Sequence, residues 1–538
     1  MKSQPMVTFG AKEVRTPDLL NAIQTLYQLS YSPMVLLTAG KASKNGVPCQ
    51  GFFHAARRGH VGCGGGGRCA RIGRMEGKPD IPNEAIVLGV GASGCAAARA
   101  LLRRGARVAL VAPPLPPGPH ATAGEPEALE ALGAELLRMP AAAAVAGWAP
   151  RHAGAAAVFS PGIAPSSPEA AAARAVGLRL FGELDLGAAL WRGRLVCVTG
   201  SKGKSSLVKL LADALRAAGH TAEPCGNYGL PLCALADREA PPDFAVCECS
   251  SFQLEWARGA LAPEVAILLN VSQDHLDRHG SIEAYRDAKL SLFAGQGRGA
   301  FALLPAAGSE GALARYAALF PDRPPLQTFG AEEAAQWRWT RGGVSHPATG
   351  REWRTAGSYF DNDVLGPAAA AAVAALDALG LAREQIEAAL RAFEPLPHRM
   401  RTIGSRGGVA WIDNSKATSL AALEASVRMA PKPVFLLAGG RLKEPVSLPP
   451  NKLVEIGVEK VYTFGECAPL LQRAWSTGLP AEPCETLERA VAAAARDTAG
   501  LPAGSVLLAP GTASFDQFRS FEHRGERFAE LFRNLPTT

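Results

Sequence analysis

The stretch VCVTGSKGKSSLVKLLADALRAAG, from Val196 to Gly219, leaves few architectures open. An apolar run passes through a Gly/Ser/Lys turn into an amphipathic pattern, which predicts a buried strand, a tight turn and a helix. In such a turn the backbone N–H groups face inwards at a helix N-terminus and cradle phosphate oxygens. Gly200 and Gly203 allow that backbone, and Ser201, Lys202 and Ser206 complete the loop. Lys204 is placed to reach β/γ-phosphates and Ser205 to reach Mg²⁺. Val198 stands where the usual glycine, five positions before Gly203, is expected, so the loop is a shortened variant. The competing reading is a glycine turn followed by an incidental Lys-Ser pair. A strand–loop–helix of this kind belongs to an α/β architecture.

With 538 residues, 48% hydrophobic and 20% charged, the chain has room for roughly three domains of about 150 residues each. Residues 1–80 show no period and include the glycine-rich GHVGCGGGGRCARIGR; they read as a linker or as an extension upstream of the true start. From Ala85, AIVLGVGASGCAAARALLRRGARVALV reads as strand, glycine turn, helix with small residues on one face, and strand. PPLPPGPH (Pro113 to His120) reads as a loop, and AAVFSPGIAP closes a strand on Ser160-Pro161-Gly162. RLVCVTG, FAVCECS and VAILLNV are strands of a second segment, which runs to an alanine-rich helix over Pro367–Leu379. VAWID, PVFLLAGG, KVYTFG and SVLLAPG are strands of a third, after Leu396-Pro397-His398-Arg399. The expected division is an uncertain segment at 1–80, a Rossmann-like domain at 81–190, a central P-loop ATPase-like domain at 191–395 and a Rossmann-like domain at 396–538.

The net charge of +7 is concentrated early, in Lys41, Lys44, Arg57, Arg58, Arg68, Arg71, Arg74 and Lys78. This reads as a solvated arm; with no aromatic-interleaved basic face elsewhere, nucleic acid is not an expected partner. The eleven cysteines are scattered. Cys63…Cys69 and Cys247-Glu-Cys249 have no second pair at zinc-finger spacing, so the expectation is reduced, buried thiols. No secretory signal and no apolar run of about 18 residues is found, which predicts a cytoplasmic protein without membrane insertion.

Gly89-Val90-Gly91-Ala92-Ser93-Gly94 fits G-x-G-x-x-G, yet the next strand ends Val111-Ala112-Pro113, with no acid for a ribose. A diphosphate site and a purely structural turn both stay open there. An NAD-binding oxidoreductase is the reading from another enzyme class, and the missing acid argues against it.

NVSQDHLDRHGSIEAYRDAK, from Asn270 to Lys289, gathers Asp274, His275, Asp277, Arg278 and His279 ahead of an amphipathic helix. Taken alone, Lys289 is a helix-surface lysine and His275 a turn residue, while Glu248 closes a strand that could run beside the phosphate loop and ligate Mg²⁺. TGSKGKSS, GNYG, CECSSFQLE, this stretch, LPHRM, DNSKATS and APGTASFDQFRSFEHRGERF occur in the order and spacing of the Mur ligases. The chain resembles that family, and within it the D-glutamate-adding branch, over most of its length.

The resemblance implies ATP-driven addition of D-glutamate to UDP-N-acetylmuramoyl-L-alanine through an acyl phosphate, by a monomer. It implies that Ser205 and Glu248 hold one Mg²⁺, that His275 ligates a second, and that Lys289 is carbamylated into an oxygen ligand. Lys204 and Arg399 would meet the ATP phosphates. Ser160, with the first glycine turn, would serve the uridine nucleotide, and Asn227 and Ser251 the UDP-sugar substrate. Lys416, Thr418, Ser514 and Phe521 would frame the glutamate.

The sequence departs from the family pattern in three places. DNSKAT puts Asn414 where an acid contacting ATP ribose is usual, and Asp413 one place earlier. GGRLKE keeps Lys443 but has Arg441 in place of an acid. The Asn-x-x-Asn adenine segment is missing, DNDVLGPAAAA offering only Asn362 out of register. Base contacts and amino-acid selectivity therefore stay open, with a ligase adding L-glutamate or another amino acid as the alternative. A folylpolyglutamate-synthase-like enzyme would lack the first unit, and a non-catalytic nucleotide-binding scaffold is opposed by the joint presence of Lys204, Glu248, His275 and Lys289.

Overall fold

The computed structural model describes residues 80–112, 125–257, 259–321, 326–443 and 445–536. The early basic residues and the PPLPPGPH loop lie outside these. Among the described residues three sheets follow one another along the chain. The first is all parallel: β1 (Glu84–Leu88), β2 (Arg107–Val111), β3 (Glu135–Leu137), β4 (Ala156–Phe159) and β5 (Arg179–Gly182), in the order β3-β2-β1-β4-β5. This is a doubly wound order with its switch point between β1 and β4. The helix Ala92–Leu102 lies tight on β1 because its buried side is made of small residues. A Cβ on Gly94 would come within 1.9 Å of the Gly89 carbonyl oxygen, and Gly89 itself has φ +106°. Gly94 is thus required by backbone approach and Gly89 by its left-handed φ.

The central sheet holds β6 (Arg194–Thr199), β7 (Ala222–Gly226), β8 (Phe244–Glu248), β9 (Val265–Leu268), β10 (Phe301–Pro305), β11 (Gln327–Gly330), β12 (Trp337–Thr340), β13 (Gly343–His346) and β14 (Arg351–Arg354). Their order is β14-β13-β12-β11-β10-β9-β6-β8-β7, and only β13 and β14 run antiparallel to their neighbours. Along β6, Val196 and Val198 enter one core with Leu207, Leu211 and Ala370, while Leu195 and Cys197 enter the opposite one with Leu232, Leu254 and Leu268. Both faces are covered, which is why β6 reads as a continuous apolar run. The alanine-rich helix spans Gly366–Ala378, one residue earlier at each end than expected, and is fully buried from Ala369 to Leu376. Its start at Gly366 is fixed by Trp339, whose ring carbon would lie 2.2 Å from a Cβ there.

The third sheet holds β15 (Arg401–Arg406), β16 (Val409–Asp413), β17 (Val434–Gly439), β18 (Val458–Phe464), β19 (Ala481–Glu485) and β20 (Gly504–Leu508), ordered β15-β16-β20-β17-β18-β19 with only β15 antiparallel. Trp256 joins the first two sheets. It follows the short helix Ser251–Leu254, stacks on Phe159 at 4.2 Å between ring centroids, and donates from Nε1 to the Ile163 carbonyl at 2.9 Å. Losing such a buried tryptophan costs about 3–5 kcal/mol. Among the described residues no helix is long and apolar enough to cross a membrane.

Candidate active site

β6 ends at Thr199, and the phosphate loop turns through Gly200 (φ +153°) and Gly203 (φ +84°) into the helix Lys204–Ala217. Asn270, just past β9, braces this turn. Its Oδ1 accepts the N–H of Ser201 at 3.0 Å and of Lys202 at 2.9 Å, and its Nδ2 donates to the Lys202 carbonyl at 3.1 Å. The Ser201 hydroxyl donates to the Ser272 carbonyl and lies 3.2 Å from the Tyr285 hydroxyl. Sequence reasoning assigned nothing to Asn270 or Tyr285. The available signal was an asparagine directly after a strand that neighbours the loop-bearing strand.

Three cations converge on this loop. Lys204 Nζ donates to the carbonyls of Gly200 (2.8 Å) and Ser201 (3.2 Å), and burial lowers its pKa. Lys289, 1% exposed, donates to the same Gly200 carbonyl at 2.9 Å and sits 4.2 Å above the Tyr285 ring. Burial, reinforced by the Lys204 charge, pulls the Lys289 amine down to about 7. Arg399, arriving ahead of β15, donates to the Ser205 hydroxyl at 3.2 Å; burial lowers its pKa against the opposing pull of Glu248.

Glu248, 2% exposed, is the anion that Lys204 and Arg399 share. Its field also raises the pKa values of Lys204 and Lys416 against their burial. Oε1 accepts from Asn227 Nδ2 at 2.7 Å, while Oε2 is buried without a hydrogen-bond partner. A bare, buried carboxylate oxygen is costly unless a cation or donor completes it.

His275 has φ +53° and a half-exposed side chain, edge-on to Phe252 at 5.0 Å and 3.8 Å from Asp274; burial lowers its pKa. His279 is buried. Its Nε2 lies 3.0 Å from the Ser251 hydroxyl and its Nδ1 3.3 Å from Glu255, and burial pushes its pKa down to about 4. Arg278 binds Glu255 through two nitrogens (2.7 and 3.0 Å) and reaches the carbonyls of Pro161, Gly162 and Ile163. The loop that carries Ser160 is thereby tied to the central sheet. The Ser160 hydroxyl is buried without a partner, and a Cβ at Gly89 would lie 2.5 Å from it.

From the third sheet, Lys416 places Nζ 3.6 Å from the centre of the Phe521 ring, and burial, then Arg399, lowers its pKa. Arg524, fully buried and not singled out from the sequence, clasps the Ser415 hydroxyl and carbonyl (both 2.9 Å) and the Thr512 carbonyl (3.2 Å). It holds the NSKATS segment against the loop bearing the buried Ser514. Thr418 is half-buried and Lys443 exposed.

The departures from the family pattern have local explanations. Asn414 Nδ2 donates to the Ser426 hydroxyl at 2.6 Å, which turns that side chain into the helix Leu420–Met429. Asp413 accepts the Ser415 N–H at 2.9 Å and pairs with His398 at 2.6 Å, raising the His398 pKa. Arg441 pairs with Glu466 at 2.9 Å. Asn362 Oδ1 accepts the N–H groups of Val364 and Leu365 at the start of the alanine-rich helix.

The structure thus brings Ser205, Lys204, Lys289, Glu248, Asn227 and Arg399 together around one phosphate loop, and Lys416 with Phe521 beside it. Residues 198–361 match the family model described as the Mur ligase middle domain. The chain is similar to a protein of Pelobacter propionicus named UDP-N-acetylmuramoylalanine--D-glutamate ligase, 33% identical over 84% of this chain and 98% of the relative. A protein of the same name from Myxococcus xanthus is also 33% identical, again over 84% of this chain and 98% of the relative. Among solved structures, a crystal structure of MurF from Acinetobacter baumannii has a similar fold, with TM-score 0.50 and 18% identity over 71% of this chain and 92% of that one.

Proposed function

The chain belongs to the Mur ligase family, on the branch of the UDP-N-acetylmuramoylalanine--D-glutamate ligases, and from that membership we infer an ATP-dependent amide ligase of peptidoglycan precursor synthesis. Its substrates are UDP-N-acetylmuramoyl-L-alanine, D-glutamate and ATP. The alanyl carboxylate attacks the γ-phosphate to give an acyl phosphate and ADP. The glutamate amine then attacks the acyl carbon and phosphate leaves.

The observation that carries this reading is the bare Glu248 oxygen at the phosphate loop, in the field of Lys204 and Arg399. Such a site gathers polyphosphate and neutralises charge transferred during phosphoryl movement. The loop amides with Lys204 hold the β/γ-phosphates, and Arg399 adds charge from the third sheet. Ser205 and Glu248 fit one Mg²⁺ site, because a hydroxyl and an unpartnered carboxylate are hard oxygen donors; Mg²⁺ there would screen the phosphate oxygens.

The Lys289 amine, part neutral at pH 7, fits a carbamylated lysine that with His275 would take the second Mg²⁺. Ser160 and the Gly89 turn hold the uridine nucleotide, Asn227 and Ser251 face the sugar-alanyl moiety, and Lys416, Thr418, Ser514 and Phe521 frame the glutamate. The division at residues 190 and 395 into three domains, the cytoplasmic location and the monomeric state complete the reading.

Phosphate release from ATP and Mg²⁺ with UDP-N-acetylmuramoyl-L-alanine, supplied with D-glutamate, L-glutamate or neither, tests it. Release that requires D-glutamate is the expected result. Preference for L-glutamate would reassign the amino acid, and no release with either would overturn the assignment.

A further inference from the structure

Four buried cysteines lie side by side in the central sheet. Cys197 on β6 and Cys225 on β7 are both register partners of Cys247 on β8, and Cys249 follows two residues on. All four are 0% exposed. The sulfurs of Cys197, Cys247 and Cys249 fall within 4.8 Å of one another, and those of Cys247 and Cys249 are 3.7 Å apart. Gly226 closes up against them: a Cβ there would sit 2.3 Å from the Glu248 carbonyl oxygen and 2.8 Å from the Cys247 sulfur.

One such thiol would be an ordinary small core residue. Three within ligating range of one another are a donor set. Sulfurs bound to one ion at about 2.3 Å stand about 3.8–4.0 Å apart, so the Cys247–Cys249 edge already has the right length and the third sulfur needs only a small approach. The surroundings are apolar, with Leu184, Leu232, Leu254 and Leu261 in the same core. Soft sulfur donors in a dry site select Cu(I), Zn²⁺ or Cd²⁺ and reject Mg²⁺.

We propose that Cys197, Cys247 and Cys249 form a buried thiolate site for a single soft d¹⁰ cation. This assignment is independent of the ligase reading. Each S–H bond loses its proton to solvent as a sulfur–metal bond forms, with no change of oxidation state. Glu248 lies between Cys247 and Cys249, and strand alternation sends its side chain to the opposite face. The ion would therefore clamp, from behind, the strand segment that aims Glu248.

The test uses the full reduced chain with Cys49, Cys63 and Cys69 changed to Ala, titrated with Cd²⁺ alone and followed by sulfur-to-metal charge-transfer absorption. One tightly bound ion per chain is expected. Cys247→Ala and, separately, Cys197→Ala should weaken binding by at least about a hundredfold while far-UV circular dichroism is retained; Cys484→Ala should leave it unchanged. Absence of the band at one equivalent, or its survival in folded Cys247→Ala or Cys197→Ala protein, would overturn the assignment.

Discussion

Lys289 donates from Nζ to the carbonyl oxygen of Gly200 at 2.9 Å, the same carbonyl that Lys204 holds at 2.8 Å. Two amines on one acceptor in a buried site cannot both be comfortably charged. Burial and the Lys204 charge bring Lys289 from the usual 10.5 down to about 7. The unfolded chain then carries the extra proton between these values, so this group adds stability as pH rises from 7 towards 10.5 and withdraws it as pH falls. Carbamylation needs the neutral amine. With ¹³C-bicarbonate, a carbamate resonance should appear at pH 8, weaken below pH 7, and be missing in Lys289→Arg. A resonance of equal strength in the variant would rule Lys289 out.

Glu248→Gln keeps the shape and the contact with Asn227 but removes the charge that Lys204, Arg399 and Lys416 all feel. We expect ligation to fall by about a hundredfold or more, in the range for losing an electrostatic stabiliser, together with a raised Mg²⁺ requirement. Asn227→Ala should preserve the charge and show the smaller loss. If Glu248→Gln left the Mg²⁺ titration unchanged, the bare oxygen would have another purpose.

The contact from Arg399 to Ser205 spans the third sheet and the phosphate loop. Arg399→Lys keeps the charge but has a shorter and differently shaped donor group. It should raise KM for ATP and slow acyl-phosphate formation, measured as ADP production in single turnover, while the melting temperature stays close to that of the parent. Unchanged single-turnover rates would remove Arg399 from the phosphate site.

The contrast between Lys289 and Arg278 shows what the sequence carries. The phosphate loop is legible because one local run supplies strand, turn, lysine and helix, and Lys289 is legible because the family motif fixes its spacing. Asn270, Tyr285, Glu255 and Arg278 act through partners 23 to 117 residues away, and no local pattern encodes such a pairing. The strands β10 to β14 are four or five residues long with several exposed or half-exposed positions, so their alternation is weak. Asn414 could be seen to differ from the family pattern, but its bond to Ser426 depends on how the following helix returns.

Arg278 makes a prediction of its own. Its guanidinium meets Glu255 and three carbonyls of the loop following Ser160, with both charged side chains largely buried. Arg278→Met should cost about 2–3 kcal/mol, in the range for hydrogen bonds to charged groups, and should raise KM for the UDP substrate more than KM for ATP. Equal effects on the two KM values would mean that the contact is structural only.

His398 and Asp413 supply a pH signature at the third sheet. The Asp413 carboxylate, 2.6 Å from His398 Nδ1, raises the histidine pKa above its usual 6.5. For a raised pKa the folded chain holds the extra proton, so the stabilisation is complete below pH 6.5 and is lost as pH climbs through the folded value. Asp413→Asn should bring the His398 titration, read from its ring-proton NMR shift, back down and flatten the decline of melting temperature above pH 6.5. Since His398 also accepts the Lys416 N–H at its carbonyl (3.1 Å), the same variant should disturb the glutamate end of the site. A raised KM for glutamate with KM for the UDP substrate unchanged would place the His398–Asp413 pair behind Lys416. Equal changes in both would place it in the general stability of the third sheet.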